Sequence, residues 1–185
     1  MSNTAQKLPE KMTVDEFLLW AEGQPGRYEL HEGEVHAMAP QQAGHAAVKF
    51  AVQAELKRAI AKAGVPCHML PDGMTVRASE HTAYEPDALV YCGPQVRRKD
   101  VEIANPVIVV EVLSPSTRAI DATLKIWGYF RVPSVQHYLI VDPDGKTPTL
   151  HFERQGDAIL TKFCPSGTLK LDPPGLSVDV GQFFA

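Results

Sequence analysis

Little in this chain suggests a fold held by covalent or metal staples. Its three cysteines, Cys67, Cys92 and Cys164, are odd in number and show no CxxC spacing. Neither a full disulfide framework nor a zinc site is indicated, and a reducing, cytoplasmic setting is the expectation. Long hydrophobic runs are missing too. No stretch approaches the roughly 18 apolar residues of a membrane span, and Met1 to Met12 lacks the apolar centre of a secretory leader, so membrane insertion and secretion are not expected. Basic charge is not in excess: 18 Lys and Arg stand against 22 Asp and Glu, a formal net charge of −4. That excludes a protein that coats nucleic acid by bulk electrostatics and leaves room for a local basic surface. Arg97-Arg98-Lys99 is the densest basic cluster, with a solvated loop as its plainer reading. Internal repeats, low-complexity stretches and a second domain boundary are also lacking.

What is present suits one domain over 12–185 behind a loose lead-in at 1–11. Hydrophobic residues make up 44% and charged residues 22% of 185 positions, and a chain of this length buries about 70% of its unfolded surface. The 15 Pro and 13 Gly mark turns rather than disorder.

Thr13-Val14-Asp15-Glu16 is a capping box that opens a short helix carrying Phe17, Leu18 and Trp20. Arg27 to Met38 predicts two strands around Glu32-Gly33, with Tyr28, Leu30, Val35 and Ala37 inward. Glu29 lies out of phase with Tyr28 and Leu30, so alternation turns it to the other face, where solvent is the plain expectation. His45 to Ala63 predicts a helix stopped by Gly64, with Val48, Val52, Leu56, Ala59 and Ala63 as its buried stripe. His45 falls in the first turn. A helix N-terminus disfavours a protonated imidazole, leaving His45 able to accept a proton or hold a phosphate-bound water, unless it only caps or packs.

Val65 to Ala78 reads as a long strand or a hairpin bent at Pro71-Asp72-Gly73. Ser114 to Thr117 is a turn, and Arg118 to Arg131 is a helix with Ile120, Leu124 and Trp127 on one stripe and Asp121, Lys125 and Tyr129 on another. Asp121 and Lys125 also suit an acid-then-base pair one turn apart. Val135 to Val141 is a further core strand, and Thr149 to Arg154 pairs with Ala158 to Cys164 as a hairpin. Strand, helix and strand after residue 106 form a crossover unit, which predicts a mixed sheet with a helix packed on it.

The chemistry is expected between two apolar runs. Pro86-Asp87 leads Ala88-Leu89-Val90-Tyr91, and Glu111 closes Val107-Ile108-Val109-Val110. An unpaired carboxylate inside such strands costs several kcal/mol, so a cation is expected between them. Oxygen ligands on adjacent strands suit Mg²⁺, with Mn²⁺ as a substitute. Two carboxylates around a divalent ion with an ammonium nearby, here Lys125, are what phosphodiester hydrolysis needs.

At these residues the sequence resembles a known family. Tyr84-Glu85-Pro86-Asp87, then Val109-Val110-Glu111-Val112-Leu113-Ser114-Pro115-Ser116-Thr117, then Asp121, Lys125 and Tyr129, and later Ile140-Val141-Asp142-Pro143, are similar to the Uma-type restriction-endonuclease family of the PD-(D/E)XK nuclease superfamily. Arg27 to Glu34 is similar to that family's entry hairpin, and the resemblance spans roughly residues 12 to 183. It implies an α/β (α+β) restriction-endonuclease-like core, a mixed β-sheet flanked by helices, with an N-terminal helix and hairpin and a C-terminal β-hairpin. It implies Asp87, Glu111 and the Val112 carbonyl as Mg²⁺ ligands. The superfamily lysine belongs two residues after Glu111, where this chain has Leu113, and the resemblance moves its role to Lys125. Glu29 and His45 match positions that supply a further acid and a helix-borne polar group near the metal.

The implied activity is a Mg²⁺-dependent DNA endonuclease working as a homodimer, because one such site cuts one strand. The alternatives are a nuclease-fold protein that binds nucleic acid or a partner without cleavage, and a hydrolase of smaller phosphoesters.

Overall fold

The computed structural model describes residues 11–114 and 121–185. The lead-in before Lys11, the turn after Ser114, the start of the helix expected from Arg118 and the Asp121 side chain, with its pairing to Lys125, lie outside the described residues.

Helix α1 (Val14–Ala21) begins as its capping box requires: the Glu16 amide donates to Thr13 Oγ1 at 3.3 Å and the Thr13 amide to Glu16 Oε2 at 2.8 Å. Strands β1 (Tyr28–His31) and β2 (Glu34–Ala37) follow as an antiparallel hairpin. Its turn residues Glu32 and Gly33 have φ of 50° and 84°, the conformation a two-residue hairpin turn demands. Leu30 is buried against Val14 and Phe17, while Ala37 is exposed where alternation had it inward.

Helix α2 (Ala43–Ala63) buries Val48, Val52, Leu56 and Ala59; Ala63 lies exposed beyond the stripe, and Gly64 stops the helix at φ 66°. The segment expected as one strand or hairpin divides between two sheets. Strand β3 (Cys67–Pro71) joins a six-stranded sheet, whereas β4 (Val76–Ser79) pairs with β5 (Thr82–Tyr84) in a four-stranded sheet ordered β2-β1-β5-β4. Pro71 supplies no ladder donor and Gly73 takes φ 95°, so the chain leaves one sheet for the other there.

The larger sheet is completed by β6 (Ala88–Cys92), β7 (Pro106–Val112), β8 (His137–Val141), β9 (Thr149–Gln155) and β10 (Ala158–Cys164), in the order β10-β9-β8-β7-β6-β3. Its one parallel pair is β7 with β8, the pair joined through α3 (Asp121–Arg131). The mixed sheet expected from the crossover is therefore present.

One face of that sheet, from Ala88, Val90, Ile108, Val110, Leu139 and Val141, packs on α2 and on a tail hairpin, β11 (Thr168–Leu171) with β12 (Leu176–Asp179). The other face, from Leu89, Val109, Tyr138 and Ile140, packs on Tyr129 and Phe130 of α3. A 3-10 helix over Val180–Phe184 closes the tail with Phe183 buried.

Two expectations need correction. Leu124 and Trp127 of α3 are 44% and 68% exposed, and the buried stripe is the one through Lys125 and Tyr129. Cys67 and Cys92 are register partners across β3 and β6 and form a disulfide, leaving Cys164 as a free thiol; odd count alone had hidden a single pair. No helix among the described residues is long and apolar enough to cross a membrane.

Candidate active site

The register of β6 and β7 sets Ala88 against Val110, and one step further it sets Asp87 against Glu111. Opposed residues of an antiparallel pair share a face, so both carboxylates stand at the same sheet edge. Asp87 is 4% exposed, and its Oδ2 accepts from the Val112 amide at 2.8 Å. Glu111 Oε1 accepts from the Tyr129 hydroxyl at 2.6 Å and from Lys125 Nζ at 3.0 Å. Burial pushes the Glu111 carboxyl up to about 8; Lys125 opposes that rise, and the charges of Glu29 and Asp87 add to it. The two strand-end acids thus feel each other's field.

Lys125 and Tyr129 are one turn apart on α3, so the same face of the helix carries both to Glu111. Lys125 Nζ also donates to Glu29 Oε1 at 2.9 Å and lies 5.4 Å from the centre of the Tyr84 ring. Glu29 does face away from Leu30, as alternation required. That other face is the inside of the site and not solvent: the Glu29 side chain is 13% exposed, and Oε1 accepts the Glu85 amide at 2.9 Å.

Helix α2 closes the site from the opposite side. His45, Lys49 and Gln53 follow each other at one-turn intervals and all reach Asp87. His45 Nε2 is 3.5 Å from Asp87 Oδ2, Lys49 Nζ is 3.9 Å from Asp87 Oδ1, and the Gln53 amide donates to the Asp87 carbonyl at 2.8 Å. His45 Nε2 also stands 2.8 Å from the Val112 carbonyl. A carbonyl only accepts, so Nε2 carries a hydrogen, while Nδ1 is buried and has no hydrogen-bond partner among the described residues.

Lys49 and Gln53 escaped the sequence reading because they border the apolar stripe of α2. The signal that could have found them was their spacing of four and eight from His45. Lys49 further donates to Gln41 and, at 3.0 Å, to Asp72 Oδ2, while Arg27 pairs with both Asp72 and Glu85. Arg97 instead pairs with Asp100 in its own loop with its side chain 89% exposed, which fits a solvated cluster.

The donor set suits a divalent cation. Among the described residues, Glu29, Asp72, Glu85, Asp87 and Glu111 are linked through Arg27, Lys49 and Lys125, an excess of acid that a doubly charged ion would offset. Among those residues no three His, Cys, Asp or Glu side chains form a metal cage by themselves. Oxygen from the Val112 carbonyl and from water would have to complete any shell, as a small hard cation prefers.

Three comparisons bear on this arrangement. Residues 14–181 match the model of the Uma2 family, described as "Putative restriction endonuclease". An uncharacterized protein of Synechocystis is 30% identical over 176 residues, covering 94% of this chain and 92% of that protein. A crystal structure of "a putative nuclease belonging to DUF820" from Anabaena variabilis superposes with a TM-score of 0.71 at 18% identity, covering 94% of this chain and 97% of that one. At that identity the likeness is one of fold.

Proposed function

The chain belongs to the Uma2 family of restriction-endonuclease-like proteins, and from its site we propose a Mg²⁺-dependent DNA endonuclease with Asp87, Glu111 and Lys125 at its centre. The observation that carries this reading is the position of the Lys125 amine, 3.0 Å from Glu111 Oε1. On this reading Lys125, carried on α3, takes the part of the lysine that the superfamily pattern seats two residues after the acid, where Leu113 stands.

Asp87, Glu111 and the Val112 carbonyl would hold the ion. When bound, it would lower the pKa of a coordinated water and offset the charge gathered on the phosphate. Lys125, held by Glu29, would orient an attacking water or stabilise added negative charge. Tyr129 fixes the Glu111 oxygen that Lys125 shares. His45 covers the Val112 carbonyl through Nε2–H; its hydrogen would have to move to Nδ1 before Nε2 could act as a donor to a cation. Mn²⁺ is expected to substitute for Mg²⁺, and cutting both strands of a duplex calls for two copies of the chain.

Incubating supercoiled plasmid with the protein and Mg²⁺ or Mn²⁺, beside Asp87→Ala and Glu111→Ala, tests the proposal. Nicking by the wild type and at least a hundredfold loss in both variants is expected. Equal nicking in all three would mean contamination. Retained DNA binding with no nicking by the wild type would favour the non-cleaving binder.

A further inference from the structure

Asp72 sits at the tip of the β3–β4 connection, outside both carboxylate-bearing strands, yet two cations converge on one of its oxygens. Its Oδ2 accepts from Arg27 Nη1 at 2.6 Å and from Lys49 Nζ at 3.0 Å. Lys49 is 9% exposed and lies with the same amine 3.9 Å from Asp87 Oδ1. A buried ammonium needs a closely paired anion, and Asp72 at 3.0 Å is the nearer of the two carboxylates. The Asp72 and Arg27 side chains are 26% and 32% exposed, so this anion position opens to solvent while Lys49 reaches inward from it. The tip also borders open space. Gly73 takes φ 95°, and a Cβ there would meet nothing within 4 Å.

We propose that Arg27 and Lys49 form a phosphate-binding subsite that Asp72 fills with its own carboxylate until a nucleic-acid backbone displaces it. The occupant is the phosphate flanking the one at Asp87, because one lysine amine touches both positions. Glu85 keeps Nε and Nη2 of Arg27, so the donors offered to a phosphodiester oxygen are Arg27 Nη1 and the Lys49 amine. Displacement exchanges one anion for another, so the cost of burying Lys49 is met in both states. The inference rests on the nuclease reading for its ligand, while the anion site rests on geometry alone.

The test is duplex DNA binding by fluorescence anisotropy in EDTA, beside calorimetry with inorganic phosphate, for the wild type, Asp72→Asn, Lys49→Gln and the double variant. Melting curves establish that each is folded. Asp72→Asn is expected to bind duplex about tenfold tighter, with a salt slope steeper by about one to two phosphate contacts, and to bind inorganic phosphate measurably. Lys49→Gln is expected to bind duplex about tenfold more weakly, and the double variant to lose the gain.

Unchanged or weaker DNA and phosphate binding by folded Asp72→Asn overturns the subsite. Should that variant fail to fold, undiminished duplex binding by Lys49→Gln overturns it instead. Phosphate binding by Asp72→Asn without plasmid nicking by the wild type would keep the subsite and remove the nuclease. Nicking without any gain in Asp72→Asn would do the reverse.

Discussion

Glu111 can be read at the residue level only in part. Its position at the end of an apolar run announced a carboxylate in need of a partner. The partners themselves, Lys125 and Tyr129, come from a helix whose facing a sequence does not fix. Burial raises its carboxyl to about 8, so in the metal-free protein it is protonated across neutral pH. A carboxyl whose folded pKa lies above its unfolded value stabilises the fold most fully below the unfolded value, near 4.5. That contribution is lost as pH rises through about 8. Denaturation in EDTA from pH 5 to 9 should therefore show falling stability for the wild type and a flatter profile for Glu111→Gln; parallel profiles would refute the assignment.

Gly128 gives a second test at the same scale. A Cβ there would stand 2.4 Å from Tyr84 Cε2 and 2.8 Å from its hydroxyl oxygen. The helix gain of alanine over glycine, about 1 kcal/mol, is set against overpacking of about 1–3 kcal/mol. Because Tyr84 is 3% exposed and its hydroxyl is 3.0 Å from His31 Nδ1, the ring cannot retreat freely. Gly128→Ala should lower the melting temperature.

Among the elements, α3 shows why hydrophobic periodicity can give the right helix and the wrong face. Leu124 and Trp127 make an apolar stripe, and a stripe is normally buried. Here the polar stripe is held by stronger contacts, because Lys125 and Tyr129 meet the buried carboxyl of Glu111 and leaving that polar group without partners would cost more than exposing an indole. The same reasoning explains Glu29, whose alternation was legible although its destination was not. Trp127→Ser should change stability by no more than about 0.5 kcal/mol, whereas Tyr129→Phe, which removes a buried donor from Glu111, should cost about 1–3 kcal/mol and reduce any Mg²⁺-dependent cleavage. Urea denaturation of both variants decides it, and a larger loss for Trp127→Ser would show that its face is covered.

Across the whole molecule, the mixed sheet was legible because a strand, helix and strand in succession admit few topologies. Of the four-stranded sheet only the β1–β2 hairpin was legible, through its Glu32-Gly33 turn; the pairing of β4 and β5 with it and the tail hairpin were not, since such short strands carry too little alternation without a turn signal. A buried histidine pair ties that tail down. His137 Nε2 donates to the Pro173 carbonyl at 2.9 Å, so its Nδ1 must accept from His151 Nε2, also at 2.9 Å. His151 Nδ1 is buried with no partner among the described residues, and a proton there would find no acceptor among them. Burial, followed by His137 and Lys162, pulls His151 down to about 4 from 6.5. A histidine with a depressed folded value lends its full stability above the unfolded pKa. The contribution fades as pH falls from about 6.5 to about 4, by about 3 kcal/mol at most. Metal-free urea titrations across that window should show wild-type stability dropping on acidification and His151→Leu, less stable at pH 7, dropping much less. Equal slopes would mean that the pair is already charged in the folded protein and that the tail is held by its apolar contacts alone.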